Sequence, residues 1–107
     1  MNSKVLSMLG MAKKAGKVTS GDFLCDKAIK EGISELIIIA EDASVSTKKS
    51  IQNACEYYGV EYIVYSDMER IGQFTGGGER VVASVNDRNF AKAIMKKYTD
   101  EMNMQGS

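Results

Sequence analysis

The chain has 107 residues, about the length of one domain, and its composition of 44% hydrophobic and 26% charged residues is typical of a soluble globular protein. It contains 14 basic and 14 acidic side chains, so its formal net charge is zero, and it contains no histidine. The absence of histidine excludes a Ser/His/Asp triad, a Cys/His dyad and any zinc site with a histidine ligand.

Helices and strands are predicted to alternate along the chain. The predicted elements are a helix over 2–16, an extended piece over 17–19, a helix from Ser20 or Gly21 to Gly32, a strand over 36–40, a helix ending at Gly59, a strand over 62–65, a short helix over 67–75, a strand over 81–85, and a helix from Asn86 or Asp87. This alternation predicts an α/β sandwich with a small, mixed or largely parallel sheet. We expect residues 1–98 to form one domain and the tail over 99–107 to fray, because it holds little to pack.

The zero net charge conceals an uneven distribution along the chain. Residues 1–30 hold six lysines and two aspartates, whereas residues 31–70 hold three basic and eight acidic side chains. A positive first third favours contact with a polyanion, and the acidic middle is expected to face elsewhere.

The two cysteines, Cys25 and Cys55, are too few for a disulfide scaffold and do not form a CxxC pair. We expect two small, buried thiols in a reducing cytoplasm. No apolar stretch reaches the roughly 20 residues that a membrane span needs, which agrees with a cytoplasmic location.

The second predicted helix carries the most informative surface. Its apolar side holds Leu24, Cys25, Ala28 and Ile29. Phe23 falls nearly opposite that side, within about one turn of Lys27 and Lys30. An exposed ring offers a face on which a base can stack, and a helix N-terminus offers unpaired N–H groups to phosphate. The alternative is that Phe23 folds under the first helix and that the lysines only solubilise the surface.

Two other segments offer contacts to an anion. Lys13, Lys14 and Lys17 precede the second helix, although a solvated helix end would also explain them. In the loop over 76–80, three glycines allow close approach to the backbone, and Arg80 can fork onto a phosphate or a guanine edge. A flexible loop tip is the alternative. The sequence has no GxGxxG or Walker A pattern, so we predict no nucleotide cofactor.

Glu41 and Asp42 follow the central strand, at the end of the sheet where ligands bind in open α/β folds. A pair of carboxylates there can hold Mg²⁺ or perform acid/base chemistry. Adjacent residues of a turn point in different directions, however, and Asp before a helix is a common cap. We therefore interpret both as turn and capping residues and predict neither a metal site nor a catalytic residue.

The order of these motifs resembles that of one family. The matching segments are 10–17 (Gly-Met-Ala-Lys-Lys-Ala-Gly-Lys), Ser20-Gly21, Lys27, Gly32, 36–40, Glu41-Asp42-Ala43, 55–60 (Cys-Glu-Tyr-Tyr-Gly-Val), Ile71-Gly72, Gly76, 81–85 and 86–91 (Asn-Asp-Arg-Asn-Phe-Ala). Over residues 4–95 the chain resembles the kink-turn RNA-binding ribosomal proteins of the L7Ae/L30e type, in particular their small bacterial YlxQ-like branch. The resemblance implies a three-layer α/β/α sandwich with a small four-stranded mixed sheet, and an RNA-binding domain over 1–98.

The resemblance also implies how RNA is held. The family grips a sharply bent RNA with the start of the second helix, the start of the third helix and the loop before the last strand. Phe23 and Leu24 stand where the family has the Asn and Glu that contact guanine edges, so we expect recognition largely by shape, with Phe23 stacking on a base. The predicted RNA-binding residues are Lys17, Gly21, Asp22, Phe23, Lys27, Ser44, Lys48, Gly77, Gly78, Glu79 and Arg80.

We therefore predict a noncatalytic RNA-binding protein without cofactor, metal or membrane attachment. Structured RNA is the expected partner, with ribosomal RNA and ribosomal or translation-associated proteins as candidates. A protein-interaction module on the same fold, with weak or no RNA binding, is the first alternative, favoured by the zero net charge and the missing Asn-Glu pair. An enzyme with metal-assisted chemistry at Glu41 and Asp42 is a weaker alternative.

Overall fold

The computed structural model describes residues 3–105. This part of the chain forms α1 (Lys4–Lys14), β1 (Val18–Ser20), α2 (Asp22–Lys30), β2 (Leu36–Ile39), α3 (Val45–Tyr58), β3 (Tyr62–Val64), α4 (Met68–Thr75), β4 (Val82–Val85) and α5 (Arg88–Gln105). The predicted order of helices and strands is confirmed.

The four strands form one mixed sheet in the order β1-β4-β2-β3. Strand β4 is antiparallel to both β1 and β2, whereas β2 and β3 are parallel. Ser20 pairs with Ala83 and Ile39 pairs with Val82, so β1 and β2 end where β4 begins. The starts of α2 and α3 and the loop before β4 therefore lie at one end of the sheet, the carboxyl end of β2.

The central strand β2 contributes to two apolar layers. Leu36 and Ile38 pack into the layer formed with α1, α4 and α5, whereas Ile37 and Ile39 pack into the layer formed with α2 and α3. All four side chains are fully buried, as expected for a strand covered on both faces. The predicted three-layer α/β/α sandwich with a four-stranded mixed sheet is confirmed.

Helix α5 continues through Gln105, so the predicted fraying from residue 99 is not observed over residues 99–105. A contact that is remote in sequence gives the physical reason. The Tyr65 hydroxyl donates a hydrogen bond to the Glu101 carboxylate, and the Tyr65 ring meets Tyr98 edge-on at a centroid distance of 5.9 Å. Residues 106 and 107 lie outside the described part of the chain.

Leu24 departs from the predicted apolar side of the second helix, because 49% of its surface is exposed. It lies about 100° around the helix from Cys25, at the border of the buried face.

Both cysteines are free and buried, as predicted. Burial raises the pKa of Cys25 to about 12 and that of Cys55 to about 11, so both thiols stay protonated at neutral pH. Within residues 3–105, none of the helices is long and apolar enough to cross a membrane.

Candidate nucleic-acid interface

The three segments predicted to grip RNA are joined at the carboxyl end of β2. Gly21 at the start of α2 donates its N–H to the carbonyl of Val82 at 3.0 Å. Ala40, which leads toward α3, donates its N–H to the carbonyl of Val81 at 2.9 Å. Both segments are thus tied to the first residues of β4, directly after the loop over 76–80, and the three share one surface.

The first turn of α2 is open toward solvent. Its N-cap residue, Gly21, has φ 95° and ψ 154°, a conformation that L side chains rarely adopt, and it supplies no side-chain hydrogen bond to the helix. The unpaired N–H groups and the positive end of the helix dipole are therefore available to an anion. Asp22 places a carboxylate in the same turn, so this helix start favours phosphate less than a turn without an acidic residue would.

Apolar side chains are exposed at the starts of both α2 and α3. Phe23 exposes 78% of its surface and Val45 exposes 79%. The prediction that Phe23 points outward is confirmed, and the alternative that it folds under the first helix is wrong. The exposure of Val45 was not predicted. Its position offered a signal, because Val45 is an apolar residue in the first turn of α3, directly after the N-cap Ser44.

The start of α3 is stabilised by the two residues predicted there. The Ser44 hydroxyl accepts a hydrogen bond from the N–H of Thr47 at 3.2 Å and so caps the helix. The Lys48 ammonium donates to the carbonyl of Glu41 at 3.0 Å, which holds the preceding turn against the helix. Both side chains thus order this segment, and Lys48 leaves a positive charge at its surface.

The loop over 76–80 packs closely against α4. The N–H of Gly77 donates to the carbonyl of Gly72 at 3.0 Å, and the N–H of Arg80 donates to the carbonyl of Met68 at 3.0 Å. A Cβ on Gly72 would lie 2.0 Å from the carbonyl oxygen of Gly78, so glycine is required there. Gly72 belongs to the family pattern, but no role was predicted for it, although an isolated glycine inside a predicted helix is a signal of a packing or functional role.

The Arg80 side chain closes this loop. Its Nε donates to the Ser20 hydroxyl at 3.2 Å, and its Nη1 donates to the carbonyl of Glu79 at 3.1 Å. A Cβ on Gly77 would lie 2.4 Å from Nη2 of Arg80, so a side chain there would displace the guanidinium group. Arg80 therefore links the loop to the end of β1 and holds its positive charge in a set place.

The structure brings Lys27 but not Lys17 toward this surface. Lys27 is exposed on α2, and it takes part in none of the ion pairs within the described residues. Lys17 precedes β1, and its carbonyl accepts the N–H of Asn86 at the opposite end of the sheet. Lys17 and Gly21 are four residues apart, which corresponds to about 13 Å of extended chain. The strand direction thus separates Lys17 from the other predicted site residues.

The charge at the carboxyl end of β2 is mixed. Lys27, Lys48 and Arg80 provide positive charge there, whereas Asp22 and Glu79 are exposed acidic residues of the same segments. The exposed charges of these segments are therefore of both signs, and they give the surface no single strong sign of potential.

Asp42 lies in the turn after β2, as predicted, but it does not cap the helix that follows, because Ser44 is the N-cap of α3. Its Oδ1 instead accepts the N–H of Met68 at 2.9 Å, in the first turn of α4, whose N-cap is Asp67. In the described part of the chain, no group of three or more Cys, Asp or Glu side chains is placed to hold a metal ion.

The fold and its gathered loops define the class of protein: a small α/β/α domain with a mixed sheet, in which three segments meet at the carboxyl end of β2. The chain belongs to the ribosomal protein L7Ae/L30e/S12e/Gadd45 family, whose model matches residues 3–96. The predicted family is confirmed.

Among the proteins similar to the chain are two relatives and two solved structures. RNA-binding protein YlxQ of Bacillus subtilis (strain 168) is 36% identical over 88 residues, which cover 82% of this chain and 88% of that protein. RNA-binding protein YlxQ of Enterococcus faecium is 33% identical over 90 residues, with coverage of 83% and 85%. A protein with unknown function from Bacillus halodurans matches with a TM-score of 0.85 at 31% identity, over 90% of this chain and 97% of that one. The Giardia lamblia 15.5kD RNA binding protein shares the fold, with a TM-score of 0.77 at 20% identity over 94% and 89% of the two chains.

Proposed function

We propose that this protein is a noncatalytic RNA-binding protein that recognises structured RNA, in particular sharply bent internal loops of the kink-turn kind. The observation that carries the proposal is the exposed Phe23 ring beside the open first turn of α2, on a surface shared with α3 and the loop over 76–80. The two YlxQ relatives, which are RNA-binding proteins, support it.

The contacts follow from the chemistry of this surface. The open turn of α2 and the charges of Lys27, Lys48 and Arg80 take phosphate oxygens, which fixes the position of the RNA. The Phe23 ring stacks on an unpaired base, a contact worth about 1–3 kcal/mol. Because a π-face accepts every base, the protein selects the bent backbone and tolerates base changes at the stacked position.

The finer identity of the partner belongs to the same proposal. Ribosomal RNA is a candidate because the family is one of ribosomal proteins, and ribosomal or translation-associated proteins are candidate neighbours. We propose a cytoplasmic location, with ribosome association where the bent RNA is part of a ribosomal subunit. No reaction is assigned, and the Asp42 carboxylate is occupied by its hydrogen bond from the N–H of Met68.

A protein-interaction module is the competing function, and one observation favours it. Tyr57 exposes 82% of its surface and contacts Tyr58 edge-on at 4.8 Å between ring centroids. Exposed tyrosines are common at protein interfaces. The pair lies near the end of α3, about 18 Å along the helix from Val45, so a protein partner there would leave the proposed RNA surface open.

The test compares two RNAs with the same total number of nucleotides and therefore the same charge. One contains an asymmetric internal loop that bends the duplex, and in the other the nucleotides are redistributed between the strands to form a continuous duplex. Fluorescence anisotropy at fixed salt is expected to give a Kd at least about tenfold lower for the bent RNA. Equal Kd values would contradict recognition of shape. A protein partner that stays bound after nuclease treatment, together with no measurable RNA affinity, would establish the interaction module instead.

A further inference from the structure

A second concave surface lies between α1 and α4, outside the segments described above. Its volume of about 440 Å³ is within the range of small-molecule and cofactor sites. Phe74 lines it from α4, and its ring packs against Gly10 of α1. A Cβ on Gly10 would lie only 3.2 Å from Cδ1 of Phe74, so the absence of a side chain at Gly10 makes room for the ring. Met11 also lines the groove and exposes 56% of its surface. Phe74 and Met11 therefore give the groove an apolar wall.

The charge of this groove has one sign. Within the described chain, the charged residues that line it are Lys13 and Lys14. Neither ammonium group takes part in the ion pairs found over residues 3–105. The negative end of the α1 dipole accounts for lysines in its last turn, but it does not account for the apolar wall beside them. Apolar contact next to two cations without a carboxylate complements a nucleotide, whose base is flat and whose phosphate is negative.

The groove is continuous with the proposed RNA surface. Gly76 lines the groove and is the first residue of the loop over 76–80. Cε of Lys13 lies 3.7 Å from the position that a Cβ on Gly76 would take, so the lysine reaches the edge of that loop. The groove therefore adjoins the loop that carries Gly77 and Gly78.

We propose that the groove between α1 and α4 binds a single-stranded nucleotide segment that flanks the bent RNA motif. The base lies against Met11 and Phe74, and Lys13 and Lys14 contact the phosphates. This inference rests on the proposed function and extends it, because it assigns a second, single-stranded contact to the same RNA.

The experiment uses the full chain and two RNAs, a minimal bent duplex and the same duplex with six unpaired uridines on one strand, tested at each end in turn. For the unchanged protein, the extension at one end is expected to lower the Kd about tenfold. It should also steepen the slope of log K against log salt by about 1.4, the value for two single-strand phosphates. The double variant Lys13→Ala/Lys14→Ala should lose both effects and keep its affinity for the minimal RNA.

Two further variants make the result specific. Lys92→Ala/Lys96→Ala removes the same charge from α5 and should leave the effect of the extension unchanged. Met11→Glu changes an exposed residue of the groove and leaves the buried core intact. This single substitution should abolish the gain in affinity that the extension gives.

The outcomes separate the two claims. Tight binding of the minimal RNA with no gain from either extension would overturn the groove assignment and leave the proposed function intact. A gain that survives in the Lys13→Ala/Lys14→Ala protein would also overturn the assignment. Failure of the unchanged protein to bind the minimal RNA would instead remove the proposed function. A protein partner from a nuclease-treated lysate that is lost in the groove variants, without any gain from the extensions, would assign the groove to that protein.

Discussion

Gly72 lies so close to Gly78 that one added methyl group would overlap the backbone: a Cβ on Gly72 would be 2.0 Å from the carbonyl oxygen and 2.7 Å from the carbonyl carbon of Gly78. The neighbour is backbone and cannot turn aside as a side chain would. The loop that carries Arg80 is therefore held in place by a residue without a side chain on α4.

Replacement of Gly72 by Ala is expected to displace the loop over 76–80. Alanine favours a helix over glycine by about 1 kcal/mol, but overlap with backbone typically costs about 1–3 kcal/mol, so the free energy of unfolding should fall. The affinity for bent RNA should fall as well. Urea unfolding and anisotropy measure the two effects.

Gly78→Ala is the matched control for stability, because nothing lies within 4 Å of a Cβ at that position. It should leave the free energy of unfolding near that of the unchanged protein. Equal stability of the two variants would show that the loop does not depend on the close approach.

Phe23→Ala is expected to weaken binding of bent RNA by about 5- to 150-fold, the equivalent of a lost stacking contact of about 1–3 kcal/mol. Its thermal stability should stay unchanged, because the ring is 78% exposed. Phe23→Tyr keeps an aromatic face and should restore most of the affinity. Tyr57→Ala is the control, because it removes a similarly exposed ring near the C-terminal end of α3, away from the proposed RNA surface. Comparable losses of RNA affinity in the two alanine variants would contradict specific stacking by Phe23.

Substitutions of Lys27 and Arg80 should distinguish a loss of RNA affinity from a loss of folding stability. Lys27→Ala removes an exposed charge, so we expect a shallower salt slope by about 0.7–0.9 and an unchanged free energy of unfolding. Arg80→Lys keeps the charge but loses the fork that links Ser20 to the carbonyl of Glu79. It should therefore lower stability by about 1 kcal/mol, the net contribution of a typical hydrogen bond. The reverse pattern, with Lys27→Ala destabilising and Arg80→Lys neutral, would contradict these assignments.

Tyr65 gives a prediction with a pH dependence. Burial raises its pKa above the ordinary value of 10.0, and its hydrogen bond to Glu101 raises it further. The protonated tyrosine therefore stabilises the folded state at every pH below about 10, and this stability is lost as the pH rises through the raised pKa.

Tyr65→Phe should accordingly lower the free energy of unfolding by about 1 kcal/mol at pH 7. The gap between the two proteins should close above pH 10, where the unchanged protein loses its proton. Tyr57→Phe, at an exposed position without this bond, is the control for the chemical change. A gap that stays constant from pH 7 to pH 11 would show that folding does not raise the pKa of Tyr65.

The order of elements was determined by the sequence alone. It depends on local periodicity, because the apolar positions of a helix recur every three to four residues. The same periodicity placed Phe23 opposite the apolar side of its helix, but it left open whether another element covers the ring, which the structure shows to be 78% exposed. The capping bond of Ser44 is local as well, because it joins residues three apart, although the cap itself was not predicted. The family resemblance added the prediction that the starts of the second and third helices and the loop before the last strand bind RNA together.

The tertiary structure decided which of these residues lie together, because that depends on strand order and direction. Lys17 and Gly21 are neighbours in sequence, yet β1 carries them to opposite ends of the sheet, whereas Lys13 reaches Gly76 across two helices. The bond between Tyr65 and Glu101, which orders the end of α5, joins residues 36 apart. Such contacts form only when the sheet brings remote backbone within a few ångströms, and no short sequence pattern encodes that distance.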